Sequence, residues 1–206
     1  MISALDALTR LREGNRRFAD NLQIQDTLGM LQRRNKLVEG QAPFAIILGC
    51  SDSRVPAEIV FDQGLGDLFV IRVAGNVVAP SQVGSVEYAA EQFKARLVIV
   101  MGHSQCGAVQ ATLDEYERPS ESRSPNLSSI VNRIWPSMEA LLHTELRNDR
   151  AALLEEAVRA NVRSSANHLR HGSQILEQLI QSDGLLVVGA EYSLDTGLVD
   201  FFDGVP

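Results

Sequence analysis

At 206 residues the chain is long enough for one domain with a well-buried core and short for two. Apolar residues at 45% and charged residues at 22% exclude a disordered or fibrous chain, and a formal charge of −7 excludes the basic face that nucleic acid requires. No apolar run approaches the ~18 residues of a membrane-spanning helix, and the opening MISALDALTR shows no signal peptide, so the cytoplasm is the expected compartment.

Leu5, Leu8, Leu11 and Phe18 recur at helical spacing behind a capping-box pattern of Ser3 and Asp6, which predicts an N-terminal helix. Gly14-Asn15 marks a point where it would be interrupted. A second helix is expected over Thr27 to Val38, stopped by Gly40. Residues 1–40 therefore read as a helical arm and 41–206 as the core of a single domain.

The pattern then changes to short apolar runs: Phe44 to Leu48, Leu68 to Val73, Leu97 to Met101 and Leu185 to Val188. Their continuous apolar character is that of strands covered on both faces, hence parallel. Helical stretches lie between several of them, notably Gly84 to Phe93 and Cys106 to Tyr116. The alternation predicts an α/β fold with a parallel sheet flanked by helices; Leu198 to Phe202 would add an edge strand. The polar segment Glu117 to Pro125 reads as an exposed loop. Helices are expected over Leu127 to Leu146, Arg150 to His171 and, after Gly172, Ser173 to Ile180.

Two cysteines, Cys50 and Cys106, allow a disulfide, a metal site or a catalytic role. An intracellular chain favours the latter two. Cys50-Ser51-Asp52-Ser53-Arg54 follows the first strand, and His103-Ser104-Gln105-Cys106 follows the third. In an open parallel sheet, sites form beyond the carboxyl ends of strands at the switch in strand order. Two thiolates and an imidazole suit zinc, and three protein ligands leave the fourth tetrahedral position open, as in catalytic sites. Asp52 is placed to compete for that position, and Arg54 to hold its carboxylate away through a bidentate pair. Taken singly, each residue has a plainer reading: either cysteine as core, Asp52 as a cap for a helix near Pro56, Arg54 as a surface ion pair.

Other motifs fail. The spacing from Cys50 to Arg54 is too short for a cysteine-phosphatase loop. Gly64-Leu65-Gly66 lacks the third glycine of a dinucleotide fingerprint. No Walker-type Gly-Lys-Ser/Thr occurs. His168 and His171 lie three apart with no third ligand near in sequence, and like His143 they read as a solvated face.

These residues resemble the β-class carbonic anhydrases. Cys50 to Glu58 and His103 to Ala108 are similar to the family's two signatures, with Gly66 to Arg72, Ala74-Gly75-Asn76, Gly84 to Tyr88, Gly189 to Tyr192 and Gly14 to Phe18 matching in order along nearly the whole chain. The resemblance implies zinc on Cys50, His103 and Cys106, an Asp52–Arg54 dyad in which the aspartate either binds zinc or pairs with the arginine, and a mostly parallel sheet of four or five strands. It implies one zinc per chain, reversible hydration of carbon dioxide to bicarbonate, and a homodimer or homotetramer embraced by the N-terminal helices. With two thiolates on the metal, bound water should be less acidic than the pKa of ~7 found in a tris-histidine site, so activity should rise on the alkaline side. Some members hold bicarbonate in a pocket of a tryptophan, an arginine and a tyrosine; Arg72 and Tyr192 match two of these, while Ile47 stands at the tryptophan's place. Two other functions fit the same residues, hydrolysis of carbon disulfide or carbonyl sulfide and non-enzymatic zinc or redox sensing.

Overall fold

The computed structural model describes residues 2–23, 27–118 and 124–206. Its centre is a five-stranded sheet of order β2-β1-β3-β4-β5, built from β1 (Ala45–Gly49), β2 (Leu68–Arg72), β3 (Leu97–His103), β4 (Leu186–Tyr192) and β5 (Val199–Asp203). The first four run parallel and β5 pairs antiparallel on the edge of β4. The central strands β1 and β3 are buried at every position, which is why their sequences carry no polar alternation.

Alternate residues of these strands feed two apolar layers. Ala45, Ile47, Leu97, Ile99 and Met101 pack on one face against α1 (Ala4–Ala19) and α3 (Ala57–Val60). Ile46, Leu48, Val98 and Val100 pack on the other against α4 (Pro80–Gln92), α7 (Arg150–His171) and α8 (Gln174–Ser182). A third cluster joins α5 (Gly107–Glu117), α6 (Pro125–Met138) and α7 around both cysteines. Between α1 and β1 lies α2 (Thr27–Lys36), which ends in a 3₁₀ turn over Leu37–Glu39 at Gly40.

Two expectations need correction. Helix α1 is not interrupted at Gly14-Asn15 but runs through to Ala19. A Cβ at Gly14 would lie 1.9 Å from the carbonyl oxygen of Phe61, so this glycine serves close approach of helix and loop. Asn15 donates to the carbonyls of Val60 (3.2 Å) and Gly197 (2.8 Å) and accepts from the N–H of Val199 (2.8 Å). The apolar side of α1 thus packs on its own chain, with Ala7, Leu8 and Leu11 buried and Leu5 turned outward. The helix expected over Leu127 to Leu146 ends at Met138 and continues as two 3₁₀ segments; Pro136 has no N–H to give the α-helical ladder. Of the expected polar loop, residues 119–123 lie outside the described residues.

Candidate functional site

The chain leaves β1 toward β2 on one side, and β3 lies on the other, so the switch in strand order falls between the ends of β1 and β3. Cys50 follows β1 directly and His103 is the last residue of β3. Gln105, held in the left-handed region at φ 55°, turns the chain so that Cys106 caps α5. Ser104 ties this turn to β4: its N–H donates to the Tyr192 carbonyl and its hydroxyl accepts from the N–H of Leu194, both at 2.9 Å.

Cys50, His103 and Cys106 are all buried, and their ligand atoms lie within 4.8 Å of one another. A zinc tetrahedron with these donors has edges of roughly 3.4–3.8 Å, so an inward approach of about 1 Å would close it. The His103 ring is poised for this. Its Nδ1 lies 2.9 Å from the Ser104 carbonyl, an acceptor only, so Nδ1 carries the proton and Nε2 presents a lone pair. That Nε2 is buried with no hydrogen-bond partner among the described residues, a state that is costly unless a cation meets it. The donor set therefore fits a zinc ion.

Charge within the cluster points the same way. The Cys106 thiol donates to Cys50, which outweighs burial and brings Cys50 down to about 4, with backbone N–H groups of Asp52 and Gly75 helping. Cys106 is pushed up because it keeps the proton it shares with Cys50 and because it is buried, although the N–H groups of Ala108 and Val109 oppose the shift. Burial alone would lower His103, but the Cys50 thiolate and the Ser104 carbonyl outweigh it and raise it.

Asp52 stands at the mouth of this cluster with Oδ2 3.8 Å from His103 Nε2, too far for a hydrogen bond. It pairs with Arg54 instead, Nε to Oδ1 at 2.9 Å and Nη2 to Oδ2 at 2.8 Å, and the Arg54 backbone N–H adds a third bond at 3.0 Å. This pair holds the Asp52 carboxyl well below the usual carboxylate range. The alternative of a helix cap does not occur, since Pro56 is the N-cap of α3 and no side chain caps it.

Arg72 donates to the carbonyls of Cys50 (3.0 Å) and Asp52 (2.5 Å), so it pins the loop that carries both residues. Tyr192 is buried in the same cluster as Ile47, with Phe18 6.3 Å away between ring centres. His143, His168 and His171 are exposed and apart from the site. Sequence reasoning gave no role to Gly75, whose N–H donates to Cys50 Sγ at 3.4 Å; a Gly-Asn pair just past a strand was the available signal. An open cleft of about 990 Å³ runs from Ser104 and Gln105 past Arg12, Asn15, Arg16 and Phe201.

Comparison with known proteins gives a consistent result. A family model described as "Carbonic anhydrase" matches residues 45–199. The carbonic anhydrase of Mycolicibacterium smegmatis is 38% identical over 92% of this chain and 89% of its own. Among solved structures, a β-carbonic anhydrase of Coccomyxa is similar with a TM-score of 0.73 at 26% identity, covering 95% of this chain and 86% of that one. One of two tetrameric β-carbonic anhydrases of Sordaria macrospora shares the fold with a TM-score of 0.74 at 23% identity, over 96% and 97%.

Proposed function

Since the chain belongs to the β class of the carbonic anhydrase family, we infer from its site that Cys50, His103 and Cys106 hold the zinc with which it carries out the reversible hydration of carbon dioxide to bicarbonate and a proton. The single observation carrying the ligand assignment is the buried, unpartnered Nε2 of His103 facing two thiols. Zinc bound there supplies Lewis acidity that makes hydroxide available from water near neutral pH.

The protein's own residues do the rest. Asp52, kept ionised and turned toward Arg54, would stay off a metal held by the three ligands and offer a carboxylate oxygen beside it. Its low proton affinity suits it to accept a hydrogen bond and orient water while staying ionised, and makes it a weak proton acceptor. Arg54 fixes the carboxylate through its two-pronged contact. Arg72 keeps the Cys50–Asp52 loop in place. For an anion pocket with Tyr192, Arg72 has its Nη1 donors to offer, since the two carbonyls it holds take only Nε and Nη2.

The same reading extends to the whole protein. The reading of residues 1–206 as one domain is supported by α1 sharing a core cluster with the sheet. A homodimer or homotetramer is supported by the tetrameric Sordaria relatives and by exposed Leu5 and Leu198. Two free cysteines suit the reducing cytoplasm. Of the three activities considered, hydration is the one that the family and its relatives support.

Replacing either thiol tests the ligand assignment. Cys50→Ser and Cys106→Ser should each reduce zinc from one per chain to a small fraction and abolish hydration; full zinc content in both variants would refute it.

A further inference from the structure

Helix α7 lies across the sheet with an apolar underside of Leu153, Ala157, Val158, Val162, Ala166 and Leu169, yet Asn161 and Ser165, one turn apart on that side, are 2% and 6% exposed. Buried polar side chains on an apolar face are costly unless they are bonded to something. Both are bonded to one turn. Asn161 Nδ2 donates to the carbonyl of Gly75 at 2.8 Å, and Ser165 Oγ donates to the carbonyl of Asn76 at 3.0 Å.

That turn is an unusual one. Gly75 and Asn76 stand consecutively in the left-handed region, at φ 65° and 44°. The first has no room for a side chain, since a Cβ there would come within 2.7 Å of Ile134, and the second is a strained conformation that persists only when its surroundings hold it. The helix reaches the turn because Gly102 and Gly189 offer no side chain: a Cβ at either would come within 2.6 and 3.0 Å of Val162. Captured at both carbonyls, the turn directs the Gly75 N–H at Cys50 Sγ.

We propose that Asn161, supported by Ser165, is a positioning residue of the metal centre, holding the Gly75 turn so that its N–H donates to the Cys50 sulfur. The inference rests on Cys50 being a zinc ligand. An N–H bond to a thiolate withdraws charge from the sulfur, so the metal receives less of it. Asn161 thereby acts on the metal's Lewis acidity without touching either the metal or the substrate.

The test uses the cobalt-substituted enzyme, whose sulfur-to-cobalt charge-transfer band reports the charge on the thiolates. Asn161→Ala should move this band to longer wavelength, because the Cys50 thiolate loses the N–H that draws charge from it. Val162→Ala removes packing from the same helix face without removing a bond to the turn; it should lower stability and leave the band in place. A folded Asn161→Ala protein with an unmoved band would overturn the proposal. Should that variant fail to fold, the near-isosteric Asn161→Leu, which fills the space and removes the donor to the Gly75 carbonyl, decides by the same band: a shift to longer wavelength supports the proposal, and an unmoved band overturns it. A wild-type cobalt protein with no sulfur charge-transfer band would instead refute the ligand assignment, and the inference with it.

Discussion

Asp52 and Arg54 lie two residues apart, and their spacing lets the arginine return on its own loop to grip the carboxylate at both oxygens. Asp52→Asn keeps the shape and removes the charge. Turnover should fall ~100-fold or more, in the range of a lost proton-handling group, with zinc content unchanged by metal analysis; undiminished turnover would exclude the role. The pair also has a pH signature. Because Arg54 depresses the folded-state pKa of Asp52, its stabilisation is fully present above the unfolded value of ~3.9 and is lost as pH falls through the folded value. The melting temperature of Arg54→Ala should therefore lie below wild type at pH 7, with the gap closing only in strong acid; an equal gap at pH 7 and pH 2 would contradict this. At this scale the sequence was informative for the groups whose side chains follow a strand end, Cys50, Asp52, Arg54, His103 and Cys106. The resemblance pointed to Arg72 for an anion pocket, but its bond to the Cys50 carbonyl, like that of the Gly75 N–H to Cys50 Sγ, was not legible, because each involves backbone groups that every residue type carries.

Among the elements, strands β1 and β3 were legible because burial on both faces leaves an unbroken apolar run. The interruption expected at Gly14 was a local reading overruled by packing. Helix propensity penalises glycine by ~1 kcal/mol against alanine, but here the absent side chain lets α1 lie on the Phe61 carbonyl. Gly14→Ala should accordingly destabilise the protein, by about 1–3 kcal/mol as for other overpacked sites, despite its better propensity. Urea denaturation with an unchanged or raised midpoint would contradict this. The end of α6 was missed for a related reason: Pro136 could be read in the sequence, but the 3₁₀ segments after it follow from how Leu141, Leu142 and Leu146 pack on the third cluster.

For the molecule as a whole, the parallel sheet brings the ends of β1 and β3 together, where Cys50, His103 and Cys106 gather beside the Asp52–Arg54 pair. The net charge of −7 plays no part in this; carbon dioxide is neutral and enters by diffusion. The most direct test is stopped-flow hydration of carbon dioxide by zinc-loaded protein, followed across pH. Two thiolate ligands donate more charge than neutral imidazoles, so the rate should scale with bound zinc and rise through an inflection above the ~7 of a tris-histidine site. One zinc per chain with no hydration above the uncatalysed rate, at any pH, would contradict the account.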